Sequence, residues 1–535
     1  MKTKIFTTVI SLFIAISGFA QDSGTCGAEG NGSNLTWSLD DNGVLTISGT
    51  GAMEDYTLSS SAPWDIHRNL LQSLVLENGI THIGNHAFYN CEGFNGSLTI
   101  PNSVETIGEF AFYYCLGFDG NLTIGSSVKA IGDNAFAFCS SFNGSLIIPN
   151  SVETIGEYAF RDCESFDGSL TISNSITVIE KYAFEGCSGF NGSLTIPDLV
   201  ETIGEYAFDN CSGFDGNLAI PNSVTAIERF AFRGCTGFDG SLTIGSSVET
   251  IGDNAFALCE GFNGSLIIPG SVKAIGNSAF NNCIGFTGDL TIPNSVETIG
   301  SNAFYSCEGF DGSLTIPSSV KTIAGAAFAF CSGFTGNLII PNSIETIELA
   351  AFAFCSGFTG DLTIPNSVTA IEQLAFGGCT GFDGDLTIGS SVETIGESAF
   401  TDCSGFAKIT SLAVTPPAVD DANAFSGIDK SIPLYVPVDA LTDYATATNW
   451  SEFTNIQENS TIGIALNMGE SILVYGTSSG IVVQGAPTGE AIQVYSISGV
   501  LVAVQAQCLR ETIINLEKGV YIVKVGNYRT KVLKQ

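Results

Sequence analysis

Fourteen cysteines recur with one unbroken 24-residue period, from Cys91 and Cys115 to Cys379 and Cys403. Thiols can bridge, ligate a metal or attack an electrophile, so their spacing decides which of these chemistries is open. One cysteine per period over thirteen consecutive copies means one per coil of a stacked repeat. Stacking places such side chains in parallel about 4.8 Å apart, whereas a disulfide wants Cβ atoms about 3.8 Å apart. Each coil also supplies one sulfur and no histidine, so a metal array lacks its ligands. The spacing therefore predicts a ladder of buried free thiols packed as small apolar side chains. Cys26 and Cys508 lie outside that ladder, and spacing assigns them no partner.

His82 and His86 stand four apart, a spacing that one helical face presents together. No His-Glu-x-x-His arrangement and no third ligand accompany them, so they read as polar positions on an edge coil. The many serines have no oriented base beside them. Acids are plentiful, yet no copy departs from the consensus to build a separate carboxylate pair. The expectation is a chain that is not an enzyme and carries no cofactor or metal; a polysaccharide-degrading solenoid enzyme is the alternative. With 54 acids, 18 bases and a net charge of −36, the chain repels phosphate backbones and anionic membranes, which excludes nucleic acid as a partner class. Asp-Gly pairs such as Asp119-Gly120 lack the dense Gly-Asp pattern of calcium-binding β-rolls.

The elements that carry these residues can be read from the copy Cys91–Tyr114, CEGFNGSLTIPNSVETIGEFAFYY. Counting Cys as position 0, apolar residues recur at +3 (Phe), +7 (Leu), +9 (Ile), +13 (Val or Ile), +16 (Ile), +20 (Ala) and +21 (Phe). Leu98-Thr99-Ile100 alternates with the period of a half-buried strand. Pro follows it in nine of the thirteen copies, ending a ladder to which it cannot donate. An Asn-Gly, Asp-Gly or Thr-Gly pair precedes it as a turn. The stretch around Ala111-Phe112 reads as a single helical turn that buries Phe and Cys together. Each coil then offers about eight inward apolar side chains, each worth roughly 1.5–3 kcal/mol when coils lie above and below.

The pattern A-F-x-x-C, L-x-I-P and S-V-x-x-I-G resembles the BspA-like leucine-rich repeats of bacterial surface proteins, across roughly residues 26–458. The G-F-x-G insertion lengthens the usual 23-residue unit to 24, and the first unit, Leu71 to Asn90, lacks it. The resemblance implies a curved parallel-sheet solenoid, mainly β with short helical turns, exported, and binding host proteins or other cells. Residues 1–20 read as a signal peptide, with two lysines, an apolar core and a small-x-small ending at Gly18-Phe19-Ala20. No other segment is long and apolar enough to span a bilayer. Residues 21–70 form an N-terminal β cap, in which Leu35, Trp37 and Leu39 turn at Asp41-Asn42-Gly43 into Leu45 and Ile47. The repeats occupy 71–410, and 411–458 hold a degenerate last copy at Ala424-Phe425 and a closing cap. A polar boundary at Gln457-Glu458-Asn459-Ser460 then leads to a small antiparallel β-sandwich over 461–535. Its motifs, Val494 to Gly499 and Lys518 to Val525, resemble the C-terminal sorting domain of the Bacteroidetes type IX secretion system. That resemblance implies display at the outer surface of a Gram-negative bacterium, with the secretion machinery as a partner.

Two outward features remain for a ligand. Thr99, Thr123, Thr171, Thr195, Thr243 and Thr291 form a ladder that Ile147, Ala219, Ile267 and Ile339 interrupt, and Thr simply suits an exposed strand. Phe110, Tyr113, Tyr114, Tyr158, Tyr182, Tyr206 and Phe230 instead put rings beside the turn where other copies carry small or polar residues. Exposed rings anchor protein and sugar interfaces, so these seven are the candidate site for an extracellular protein or glycan. A passive surface-layer spacer is the reading in which they bind nothing.

Overall fold

The computed structural model describes residues 22–459, 463–467, 473–476, 481–484, 491–496, 500–505, 511–516, 519–525 and 528–534. The leader reading of residues 1–20, Cys508, and parts of the C-terminal motifs (Ile497-Ser498-Gly499 and Lys518) lie outside them. The chain divides into two compact units, Met1–Gly192 and Ser193–Gln535.

In the first unit the hairpin expected in the cap is present. Leu35–Leu39 pairs antiparallel with Val44–Gly49, Leu39 opposite Leu45. Its turn needs glycine twice over. Gly43 has φ +78°, and a Cβ there would meet the Leu70 carbonyl oxygen at 2.3 Å. Val44–Gly49 then pairs in parallel with Ser73–Leu76, so the cap passes its edge to the first coil. Trp64 is fully buried, donates from Nε1 to the Ala87 carbonyl at 2.9 Å, and stacks on Phe88 at 5.2 Å. It fills the first place in a column of phenylalanines.

Each coil contributes two short strands to two parallel ladders in 24-residue register. Leu98 pairs with Leu122, and Ile107 with Ile131. Leu and Ile of both strands are buried while Thr99 and Thr123 face out. The segment read as a helical turn is something else. Amides of Phe110, Phe112 and Tyr114 donate to Asp133, Ala135 and Ala137 of the next coil, whereas those of Ala111, Tyr113 and Cys115 donate three residues back within their own. A helical turn would point every amide along its own chain. Stacking at strand-like spacing gives the neighbouring carbonyls a partner instead, and the backbone alternates to serve both.

Inside, the eight columns expected from the sequence are buried, as at Cys115, Phe118, Leu122, Ile124, Val128, Ile131, Ala135 and Phe136. Phe88, Phe112, Phe136 and Phe160 stack at 5.1, 5.1 and 5.3 Å. A second column runs through Phe94, Phe118, Phe142 and Phe166. The described cysteines are all buried and free. From Cys115 onward the ladder thiols reach back one coil, as where Cys115, Cys139 and Cys163 donate to the carbonyls of Phe88, Phe112 and Phe136 at 3.0–3.1 Å. Burial raises the thiols of Cys115 and Cys163, and pushes Cys91 up to about 12.

The second unit repeats both ladders, for example Thr202–Ile203 with Ala226–Ile227 and Leu362–Thr363 with Asp385–Ile388. The rungs continue past the last cysteine through Lys408–Ser411 and Leu434–Val436 to Ile456–Glu458, so Gln457 and Glu458 form the last rung of this ladder. A short helix, Leu441–Thr446, closes this end. From it Tyr444 donates to the Ala413 carbonyl at 2.8 Å. Trp450 lies 5.0 Å from Phe425, which itself stacks on Phe400. The C-terminal residues form two four-stranded antiparallel sheets, Gly463–Asn467, Leu473–Gly476, Ile481–Gln484 and Glu511–Ile514 against Leu501–Gln505, Ile492–Ser496, Gly519–Val525 and Tyr528–Lys534. Val474, Ile481 and Val483 of one and Ile492, Val494 and Val523 of the other share one core. Among the described residues no helix is long and apolar enough to cross a membrane.

Candidate functional site

The seven rings sit on the alternating-amide side of the coils, and the backbone there is unusual for aromatic residues. Phe110, Tyr158, Tyr182, Tyr206 and Phe230 occupy position +19 with φ between 54° and 60°, and Tyr114 occupies +23 with φ 62°. This is the left-handed region, which costs a side chain with Cβ roughly 1–2 kcal/mol and which Asn tolerates best. Other coils place Asn134, Asn254, Asn302, Ser278 and Ser398 at the same φ. Ala326, Ala350 and Leu374 share it too, so an apolar residue is admissible there, at a cost.

In the first unit these rings join others into one strip. His86 stacks on Phe110 at 4.9 Å, and Tyr89 on Tyr113 at 5.1 Å. Tyr113, Tyr114 and Phe138 lie within 5.3–5.8 Å of one another. Tyr158 stacks on Tyr182 at 4.5 Å. Between these groups the Arg161 guanidinium lies 5.4, 5.6 and 5.9 Å from the ring centres of Phe138, Tyr158 and Tyr182. Its Nε is 2.6 Å from a Glu185 oxygen and 3.2 Å from Asp162. Tyr114 is 39% exposed, and the other six candidates are half-buried.

In the second unit Tyr206 and Phe230 stack at 4.5 Å, with Arg233 4.8 Å from the Phe230 ring. Arg233 also grips Asp209 through two hydrogen bonds at 2.8 and 2.7 Å. Burial raises the Asp209 carboxyl even so, Arg233 opposing it. Further along, Phe330 and Phe354 stack at 4.7 Å.

The seven rings named from the sequence thus lie among further rings and cations: Tyr89, Phe138, Arg161 and Arg233 were not named, and His86 was read only as a polar position on an edge coil. A signal was present for Phe138, which stands one full period after Tyr114. Tyr89 likewise precedes Tyr113 by one period, in a column where most copies carry no ring.

Beside the strip runs a groove of about 470 Å³ lined by Gly108, Gly132 and Gly156 and by Glu109, Asp133, Glu157 and Glu180. Burial, then repulsion from Glu157 and Asp133, raises the Glu180 carboxyl. His82 and His86 are not on a helical face. His82 lies within a strand, Ile80–Ile83, and bonds Thr106 at 2.6 Å and Asp55 at 3.1 Å, while His86 sits in the turn at φ 54°. Among the described residues no three His, Cys, Asp or Glu side chains converge as metal ligands would. The outward Thr ladder is interrupted where expected, Ile267 and Ile339 being 72% and 71% exposed.

Two parallel ladders per 24-residue coil, a leucine and isoleucine interior and lids at both ends define a leucine-rich-repeat solenoid. Residues 67–191, 190–310 and 274–407 match the BspA type leucine rich repeat region, in six copies. This chain belongs to that family. No curated protein matches it. Similar solved structures include a leucine-rich repeat protein from Bacteroides ovatus, 20% identical with a TM-score of 0.49 over 80% of this chain and 98% of that one. Another, from Eubacterium ventriosum, is 23% identical with a TM-score of 0.35 over 71% and 95%. A leucine rich cell surface protein from Faecalibacterium prausnitzii is 22% identical with a TM-score of 0.33 over 68% and 96%.

Proposed function

We propose that this chain is an exported, surface-displayed binding protein that holds a macromolecule of its surroundings on the aromatic edge of its coils, without catalysis. One observation carries the reading. Large rings are kept at left-handed positions where Asn or Ser would relieve the backbone, and strain of that kind gathers at functional sites. Ring geometry favours protein over glycan as the ligand. The faces of Tyr158 and Tyr182 cover each other at 4.5 Å, whereas a sugar ring stacks on an open face.

Binding to immobilised extracellular-matrix proteins and to a glycan panel tests this at physiological salt, with residues 22–535. Saturable binding to a protein is expected, weakened at least tenfold when Tyr158, Tyr182 and Tyr206 become Asn, the residue their column uses elsewhere. Equal binding by that variant would remove the edge from the account, and no binding to either panel would leave the passive-spacer reading.

The C-terminal sandwich is proposed as the export signal, on its sorting-domain motifs and on its charge, since six of the chain's 18 Lys and Arg lie within residues 510–535. Deleting residues 461–535 is expected to trap the protein inside the outer membrane with its coils folded. Unchanged surface display, measured by protease accessibility on whole cells, would refute that role.

A further inference from the structure

The strip already shows how it holds a cation. Arg161 lies among three rings at 5.4–5.9 Å with two carboxylates in contact, the arrangement in which a guanidinium gains most from aromatic faces. Arg233 repeats it in the second unit with Phe230, Tyr206 and Asp209. Toward the N-terminus the strip continues as Tyr89, Phe110, Tyr113 and Tyr114, where among the described residues no Lys or Arg lies over a ring and His86 covers one face of Phe110. Alongside, Glu109, Asp133, Glu157 and Glu180 line the groove. The nearby ladder position +14 alternates Glu105, Lys129, Glu153, with Lys129 paired to Glu105 at 2.6 Å. The groove carboxylates have no such interleaved base apart from Lys181, and the chain carries a net charge of −36.

We infer that the segment of the edge formed by Tyr89, Phe110, Tyr113 and Tyr114, with the adjoining groove of Glu109, Asp133 and Glu157, docks an extended basic segment of a partner protein. Arg or Lys side chains of the partner lie over the rings as Arg161 does, and its remaining charges face the groove. The inference rests on the binding-protein reading and adds the chemistry of the ligand. A basic segment suits the site because successive rungs, about 4.8 Å apart, present rings and acids in a continuous run, and because opposite charge speeds encounter and selects the partner.

The test uses the whole chain and a fluorescein-labelled nona-arginine peptide at physiological salt, followed by anisotropy, with nona-glutamate as control. Saturable 1:1 binding of the arginine peptide alone is expected. The double variant Tyr113→Ala, Tyr114→Asn copies residues that the same columns carry at Ala137 and Asn282. It should keep its circular dichroism and weaken binding roughly tenfold, the size that two cation–π contacts give. Glu109→Gln with Glu157→Gln should weaken binding and flatten its salt dependence, while Glu297→Gln, in the second unit, should change neither. Equal affinity for wild type and the tyrosine variant would overturn the proposal, reducing the effect to overall charge, and so would absence of binding. If the arginine peptide fails while a matrix protein still binds and is lost with Tyr158, Tyr182 and Tyr206, the binding function stands and its basic ligand falls.

Discussion

Raising the pH from 8 to 11 is expected to unfold the coils. The cause is the thiol ladder. Burial pushes Cys91, Cys331 and Cys403 up to about 12, and it also raises Cys283, Cys307, Cys355 and Cys379. An exposed cysteine in the unfolded chain ionises near its ordinary value of 9.0. The folded pKa is thus above the unfolded one, so each thiol's contribution is fully present below pH 9 and is lost as pH rises from 9 through 12. The slope is about 1.4 kcal/mol per pH unit for each such thiol, and the ladder multiplies it. Tyr444, raised to about 12 by burial, adds in the same direction. Circular dichroism between pH 8 and 11.5 will read the transition, and iodoacetamide at pH 8 should leave the folded ladder unalkylated while labelling it in urea. Coils that stay folded at pH 11, or thiols that react at pH 8 at the unfolded rate, would show that the ladder is not sealed.

Phe256→Ala is expected to cost roughly 3–5 kcal/mol in urea denaturation. Its ring is fully buried and stacked between Phe232 and Phe280, 5.4 Å from each. A coil has only its two neighbours to pack on, so a hole there weakens both interfaces and no other layer can collapse into it. The thiol of Cys283 donates to the carbonyl of this same residue at 3.0 Å, and the backbone that holds that acceptor loses its support. Ile267→Thr, on the exposed ladder, should stay within about 0.5 kcal/mol of wild type. A loss below about 1 kcal/mol for Phe256→Ala would mean that the columns are far less tightly packed than their ring spacing indicates.

Most of this fold was legible because one period governs it. Cys, Phe, Leu and Ile return at fixed positions, and a side chain that recurs once per period in a stack has to face the same way each time. The hairpin at Gly43 and the closing residues Ala424-Phe425 were legible for ordinary reasons of turn chemistry and likeness between copies. The alternating backbone at Phe110–Cys115 was not. A short segment holding Ala-Phe-x-x-Cys fits one helical turn equally well, and only the pairing of its amides with the next coil decides between them. His82 and His86 were misplaced by the same assumption. The candidate edge was half legible. Tyr158 and Tyr182 stand out against Asn at +19, but Tyr89, Phe138 and Arg161 sit in the more variable columns +22 and +23. Their meaning comes from neighbours one coil away rather than from the residues beside them in sequence.

The chain has three tryptophans, and all of them lie in the lids. Trp37 and Trp64 meet at 6.1 Å in the first, and Trp450 caps Phe425 in the last. Intrinsic emission excited at the indole band therefore watches the termini of the array and is blind to every coil between Cys91 and Cys403. Fraying at a lid and melting of the interior are separate optical events in this protein without any label being added, since far-ultraviolet dichroism sums over the coils while indole fluorescence sees only where they stop.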